Sequence, residues 1–105
     1  MENEKQIIML DKGKQIGYSH MDGDILIIEC GIQKKDDLYY VYFFEGNLKN
    51  DPFGENGTFK EEFYLFTDIN KAINYINSRD FNFSEFTPRK GNKYFYIENN
   101  NFVPM

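Results

Sequence analysis

The sequence predicts a single α+β domain in which an antiparallel sheet of five to six strands carries one helix on one face. Three observations lead to this fold class. Residues 24–45 hold two apolar runs around a charged turn, residues 69–76 carry apolar side chains at helical spacing, and the aromatic residues are 8 Tyr and 11 Phe, which favour strands. With 105 residues the chain is long enough for one core and too short for two, so residues 1–105 form one predicted domain.

The first two strands are predicted from short patterns near the N-terminus. Residues 6–10 are an apolar run too brief for an amphipathic helix, and we interpret them as a strand that ends in a turn at residues 11–13. Residues 15–21 alternate apolar or aromatic with polar or small side chains, which is typical of a half-buried strand. Asp22 and Gly23 follow, and this pair favours a two-residue hairpin turn into the next strand.

Residues 24–33 and 38–45 are predicted to form the central hairpin. The first run is apolar on both faces, which is typical of a strand covered on both sides. Its core-facing side chains are predicted to be Leu26, Ile28, Cys30 and Ile32. Residues 34–37 are charged and supply the turn, and aromatic side chains of the second run then lie opposite β-branched ones of the first.

The predicted helix follows a fifth strand at residues 59–66. Thr67 and Asp68 each offer a side-chain oxygen that can cap the first turn of the helix. Its apolar stripe consists of Ile69, Ala72, Ile73 and Ile76. We expect this stripe to pack on the core-facing side of the sheet. Residues 46–58, between the fourth and fifth strands, are rich in turn formers, and a loop of this length is typical of a functional or a mobile segment.

The C-terminal part of the chain has weaker patterns. Residues 81–88 fit neither the helical nor the strand period and are predicted to be irregular. Three side chains are expected to anchor them: Phe81, Phe83 and Phe86. A turn at residues 90–92 leads into the last predicted strand, residues 94–98, which gives the order β-β-β-β-β-α-β. The tail at residues 99–105 is polar and rich in Asn, and we expect it to be loosely held.

No pattern in the sequence is typical of catalysis, metal binding or cofactor binding. His20 and Cys30 are the only residues of their kinds, and the predicted hairpin separates them by about 13 Å, too far for a nucleophilic pair. One His and one Cys fall short of a zinc site, and the glycines form no phosphate-binding loop before the helix. Glu29 interrupts an apolar face, and we interpret it as a solvent-facing or Lys-paired carboxylate.

Cellular location is predicted from what the sequence contains. No stretch reaches the roughly 18 apolar residues of a membrane span, and the N-terminal residues MENEKQ are polar and acidic, unlike a signal peptide. One cysteine allows no internal disulfide, which agrees with a reducing compartment. We therefore expect a cytoplasmic protein without a membrane partner. Abundant residues with AT-rich codons indicate a bacterium or a mobile element of low GC content.

The formal charge of −5 is concentrated in one third of the chain. Residues 36–68 contain eight acids and two bases, a charge of −6, whereas the remainder carries +1. Such a surface repels the phosphates of a nucleic acid and favours a basic partner. Acids mixed with aromatic side chains are typical of a protein interface, and we predict that partner binding uses residues of this region. They are Asp36, Asp37, Tyr39, Tyr40, Glu45, Asp51, Phe53, Glu55, Glu61 and Glu62.

In size, acidity, abundance of residues with AT-rich codons, aromatic-rich α+β layout and absence of a catalytic pattern, the chain resembles the small immunity proteins of contact-dependent inhibition and other polymorphic toxin systems. The resemblance is one of type over the whole chain. It implies an inhibitor that neutralises a cognate bacterial toxin, here a basic and nuclease-like one.

Two alternatives remain open from the sequence. A phage or plasmid inhibitor that mimics nucleic acid would carry regularly spaced carboxylates along one exposed ridge, whereas a toxin inhibitor favours a compact acidic patch beside a hydrophobic anchor. A small enzyme or ligand-binding domain would enclose Glu29 and two or more tyrosines in a deep pocket. The oligomeric state is not determined by the sequence, with a monomer favoured.

Overall fold

The protein folds into one α+β domain built on a six-stranded sheet, in agreement with the predicted fold class. A computed structural model describes residues 3–22, 26–47, 59–89 and 93–105. The elements are α1 (Glu4–Asp11), β1 (Ile16–Asp22), β2 (Leu26–Lys35), β3 (Leu38–Asn47), β4 (Phe59–Phe66), α2 (Ile69–Ser78), β5 (Thr87–Pro88) and β6 (Val103–Pro104). Short 3-10 helices lie at Phe83–Glu85 and Ile97–Asn99.

The sheet has the order β5-β1-β2-β3-β4-β6, and all neighbours are antiparallel except β4 and β6. The predicted central hairpin is confirmed as β2 and β3, the two longest strands. Lys35 pairs with Leu38, and the intervening Asp36 and Asp37 have φ angles of 54° and 63°. Positive φ at both turn residues is the geometry of a two-residue hairpin turn whose twist matches the strands.

The predicted first strand is wrong, because residues 6–10 lie within helix α1. This helix buries Gln6 and Leu10, which are four residues apart and therefore share one helix face. The Gln6 amide donates a hydrogen bond of 2.7 Å to the Ser84 carbonyl oxygen. A polar residue thus occupies one of the two buried helix positions, and hydrophobic periodicity could not reveal the helix.

The first hairpin is longer than the Asp22 and Gly23 turn predicted. Asp22 pairs with Leu26, and His20 with Ile28, so the connection cannot be a two-residue turn. Residues 23–25 lie outside the described part of the chain.

Helix α2 confirms the predicted amphipathic helix. Asp68 is its N-cap and accepts a hydrogen bond of 2.8 Å from the Asn70 backbone N–H. Ala72, Ile73 and Ile76 are buried against the sheet, where Cys30 and Ile32 belong to the same core. The core also includes Leu10, Ile16, Val41, Phe43, Phe66, Phe83 and Phe86. Residues 81–88 are anchored by aromatic side chains as predicted: Phe83 and Phe86 are fully buried.

The opposite face of the sheet is covered in part by the C-terminal segment, and the predicted strand at residues 94–98 is wrong. Tyr94 lies over Gly17 and Gly31, which are paired across β1 and β2. A Cβ atom at Gly31 would lie 3.1 Å from the Tyr94 Cβ, so glycine makes room for this ring. Phe95 packs on Tyr42 with ring centroids 5.6 Å apart.

The tail at residues 99–105, expected to be loosely held, contacts the sheet at several points. Its last strand, β6, runs parallel to β4 and pairs Val103 with Tyr64. The Met105 backbone N–H donates to the Leu65 carbonyl oxygen at 2.9 Å. Phe102 packs edge-on against Tyr40, with centroids 5.0 Å apart.

Two regions of the sheet differ in what covers them. The closed half comprises residues 30–35 of β2 and 38–43 of β3, with their neighbours on β1 and β4. We give it this name because α1, α2 and the C-terminal segment pack on it. The open half comprises residues 26–29 of β2 and 44–47 of β3, with their neighbours. Ile28 is only half-buried there, and Glu45 is exposed.

Candidate protein-binding groove

A groove of about 530 Å³ lies on the helix-bearing face of the open half, and we call it the acidic groove. One wall is the sheet and the other is the chain that follows α2. The lining residues are Tyr18, His20, Ile28, Glu29, Phe43, Phe44, Glu45, Lys60, Glu62, Arg79, Asp80, Phe81, Asn82 and Glu85.

The groove exists because α2 is shorter than the strands below it. A helix of 10 residues is about 15 Å long, whereas a strand of 10 residues spans about 33 Å. The chain leaves the helix at Arg79, and Asp80 adopts a φ of 68°, in the left-handed region that turns the backbone. Phe81 then packs against Phe43 with ring centroids 5.9 Å apart, which fixes the wall opposite the sheet.

The groove carries excess negative charge. Apart from Glu29, four carboxylates line it against two cationic side chains. Within the described residues, no ion pair engages Glu45, Asp80 or Glu85. Lys60, the cross-strand neighbour of Glu45, directs its ammonium group toward Glu62 at 4.0 Å. Within the described part of the chain, three groove carboxylates are therefore without a cationic partner.

The fourth carboxylate, Glu62, is neutralised internally. The Arg79 guanidinium donates a hydrogen bond to Glu62 and lies 4.3 Å from the centre of the Phe43 ring. Burial opposes ionisation of Glu62, but hydrogen bonds from Arg79 and Tyr64 outweigh it and lower the pKa of the carboxyl. The Tyr64 hydroxyl donates to Glu62 at 2.5 Å, and this hydrogen bond is the main reason that the Tyr64 pKa rises to about 12. Glu62, Arg79 and Phe43 therefore form a hydrogen-bonded and packed floor of the groove.

Aromatic rings complete the lining. The rings of Tyr18 and His20 stack with their centroids 6.5 Å apart, and the His20 side chain is exposed. Their alternate positions on β1 place both on the face that carries Glu45. An aromatic surface beside unpaired carboxylates suits a cationic side chain, which gains both charge attraction and contact with a ring.

The structure brings together only part of the predicted partner-binding set. Glu45 and Glu62 lie in the acidic groove. Asp36 and Asp37 lie at the tip of the β2–β3 hairpin, eight or nine residues from Glu45 along β3, or about 27 Å at strand spacing. The two groups of acids therefore do not form one surface.

The other predicted residues lie away from the groove. Tyr40 packs on Phe102, and Tyr39 lies beside Lys34, whose Nζ is 5.7 Å from the ring centre. Glu61 is on the opposite face, where it accepts a hydrogen bond of 3.2 Å from the Tyr42 hydroxyl. Asp51, Phe53 and Glu55 lie outside the described residues.

Sequence reasoning missed several groove residues: Tyr18, His20, Asp80 and Glu85. The alternation along β1 identifies the face on which Tyr18 and His20 lie, and this signal could have joined them to Glu45. Asp80 and Glu85 carry no such signal, because their position depends on how the chain turns after α2.

The structure changes the relation between His20 and Cys30. With His20 paired to Ile28 and Cys30 to Tyr18, the two are diagonal neighbours at about 7–8 Å rather than the predicted 13 Å. The His20 ring stacks on Tyr18, and Cys30 is fully buried. Burial raises the pKa of the thiol well above its ordinary value, with Arg79 opposing, so Cys30 is held in the unreactive thiol form.

Glu29 is paired, but with an arginine rather than a lysine. The distance from Arg89 Nη1 to a carboxylate oxygen of Glu29 is 3.4 Å. Burial raises the pKa of Glu29, and the nearby Arg89 charge offsets this only in part. The groove that includes Glu29 is lined by one tyrosine, Tyr18, so the tyrosine-rich pocket of the enzyme alternative is not seen in the described residues.

Searches of the described residues and comparisons with known proteins add no further site. No three potential metal-ligating side chains cluster within the described ranges. No helix there has the length and apolar character needed to cross a membrane. No protein-family model, curated protein or solved structure matches the chain.

Proposed function

We propose that the protein is an immunity-type inhibitor that binds and neutralises a cognate bacterial toxin through the acidic groove. The observation that supports this most directly is the juxtaposition of Glu45, Asp80 and Glu85 with the aromatic pair Tyr18 and His20. Among the residues that the structure describes, none of these three carboxylates has an ionic partner. A compact acidic patch beside an aromatic anchor is the arrangement expected of a toxin inhibitor.

The chemistry of the groove favours a basic, nuclease-like partner. A nuclease needs a positive surface to hold phosphates, and an inhibitor with the opposite charge is steered to that surface by long-range attraction. Aromatic side chains then supply the contact area that holds the complex together after encounter. The protein's charge of −5 extends the attraction beyond the groove.

The described carboxylates give less support to a nucleic-acid mimic. Such a mimic needs a regular row of carboxylates on one exposed ridge. Glu45 and Glu61 instead point to opposite faces of the sheet, and Asp36 and Asp37 lie at its far end.

The experiment begins with the genes that flank this one and pairs the protein with the product of a toxin-like reading frame found among them. Two variants lose the same two charges: Glu45→Gln with Glu85→Gln in the groove, and Asp36→Asn with Asp37→Asn at the hairpin tip. We expect the groove variant to associate about tenfold more slowly at low salt, with the difference shrinking at high salt, and the tip variant to match the wild type.

Growth rescue and toxin activity are measured alongside the association rate. Failure of the wild-type protein to protect cells, or equal rates for both variants, would contradict the proposal.

A further inference from the structure

We propose that the partner enters the acidic groove as an extended strand that pairs with the outer edge of β1 at residues 19–22. The inference rests on the proposed function and specifies the kind of partner surface. Its basic side chains, at every second position, would face the groove.

The first support is an incomplete edge of the sheet. Strand β1 pairs with β2 from Ile16 to Asp22, but β5 covers only Ile16 and Gly17 on the other side. In the part of the chain that the structure describes, no strand pairs with β1 beyond Gly17 on that side. The 3-10 helix at Phe83–Glu85 contacts β1, but the backbone N–H groups of Glu85 and Phe86 bond to Asn82 and Phe83 rather than to the strand. Every second residue there directs its N–H and C=O away from β2, and these groups can bond to an added strand.

The second support is that this edge is the rim of the acidic groove. Tyr18 and His20 of β1 line the groove, and Glu85 lies in the opposite wall. A strand added about 4.8 Å from β1 would direct alternate side chains into the groove. The intervening side chains would lie on the opposite face beside Met21, which is 50% exposed. The expected partner sequence therefore alternates basic with apolar residues.

Charge argues against a second copy of this chain at the same edge. Antiparallel pairing of two β1 edges would bring two acidic grooves together, and like charges in proximity oppose association.

Proline at the two outermost strands also favours the open half as the place where a partner strand is added. The last residues of β5 and β6, Pro88 and Pro104, have no backbone N–H to donate. Proline on an edge strand hinders further pairing at the closed half.

The probe is an acetylated and amidated octapeptide that alternates Lys and Val. Its control is the isomer with four Lys followed by four Val, which has the same charge and composition. Both are titrated into the full-length, ¹⁵N-labelled protein, and amide shifts and hydrogen exchange are followed. We expect the alternating peptide to bind about tenfold more tightly and to slow amide exchange within residues 19–21. Two further peptides carry N-methyl groups on their odd-numbered or on their even-numbered residues. Only the peptide whose methylated nitrogens face β1 should fail to bind, because it alone loses the N–H groups that pair with the strand.

Equal affinity for the two isomers, or binding that leaves residues 19–21 unchanged, would overturn the inference. A dimer of the free protein that the peptide does not dissociate would also overturn it, because a second copy would then occupy the edge. These results leave the toxin experiment unaffected. Strand addition by the peptide combined with failure to protect against the toxin would overturn only the proposed function.

Discussion

The closed and open halves of the sheet are formed by the same strands but differ in how deeply their side chains are buried. Ile32 and Ile28 lie on the same strand and the same face, yet Ile32 is fully buried and Ile28 is half-buried in the wall of the acidic groove. On β3, the residue paired with Ile32 is Val41, and the residue paired with Ile28 is Glu45. What differs is the layer above the strands, because α2 is too short to cover both halves.

The opposite face shows the same contrast. In the closed half, Gly17 and Gly31 form a cross-strand pair on which Tyr94 lies. In the open half, the corresponding pair on that face is Ser19 and Glu29. Small residues are placed where a second layer must approach closely, and polar ones where it ends. The closed half is therefore packed on both faces, whereas the open half carries the acidic groove that we propose as the binding site.

The largest expected effect compares the two isoleucines. Ile32→Ala leaves a cavity in the closed core and should lower the free energy of unfolding by about 3 kcal/mol. Ile28→Ala, the matched change in the groove, should cost about 1 kcal/mol because its side chain is only half-buried. Urea denaturation measures both. Equal losses would show that the open half is as firmly packed as the closed half, and would remove the distinction.

The next effect tests the glycine pair. A Cβ atom at Gly17 would clash with the Cys30 backbone carbonyl oxygen and would lie 2.7 Å from Tyr94 Cε2. Gly17→Ala should therefore shift both the β1–β2 pairing and the Tyr94 ring, at a cost of about 2 kcal/mol. Ser19→Ala, two residues along the same face, should change stability by less than about 0.5 kcal/mol. Urea denaturation and the Tyr94 proton shifts provide the measurement. A neutral Gly17→Ala variant would contradict close packing of the C-terminal segment.

The groove floor predicts a pH-dependent effect. Glu62→Gln should lower stability by about 1 kcal/mol at pH 7, because it removes a partly buried charge pair with Arg79. The pKa of Glu62 is lowered in the folded state. Its contribution is therefore present above the unfolded-state pKa of about 4.3 and is lost as the pH falls through the folded-state value. Urea midpoints of both proteins from pH 7 to pH 3 should converge at the acidic end; a constant difference would contradict the pairing.

The smallest expected effect is on the stability of the double variant Glu45→Gln with Glu85→Gln. Neither carboxylate has an ionic partner within the described residues. The free energy of unfolding of the double variant, measured by urea denaturation, should therefore stay within about 0.5 kcal/mol of the wild-type value. Slower toxin association in a variant of unchanged stability would assign these residues to binding. A large loss of stability would instead assign them to the framework.

Much of the closed half was predictable because its signals are local. The alternation in β1, the apolar runs of β2 to β4 and the helical spacing of the α2 stripe are all local patterns. Of the two residues predicted as possible caps of α2, Asp68 is the one that caps it. Helix α1 was missed because Gln6, a polar residue, holds a buried position through its hydrogen bond to Ser84, 78 residues away. The strand predicted at residues 94–98 failed because its aromatic rings pack over glycines of other strands.

The site was less predictable than the fold. Clustering of acids between residues 36 and 68 indicated a charged surface. However, Asp37 lies in the turn before β3, whereas Glu45 lies near the other end of that strand. Adjacency in sequence does not mean adjacency in space along an extended strand, where each residue adds about 3.3 Å and successive side chains face opposite ways. Asp80 and Glu85 join Glu45 only because the chain turns back over the sheet after α2.

The sequence alone determined the fold class, the central hairpin that this chain is built around, the helix stripe and the excess of acid, because composition and periodicity express local geometry. Only the tertiary structure decided which half of the sheet is covered. It also decided which carboxylates lack an ionic partner, and where β1 lacks a strand partner, among the described residues. These properties depend on the length of α2 relative to the strands and on contacts between residues distant in the chain, which no local pattern encodes.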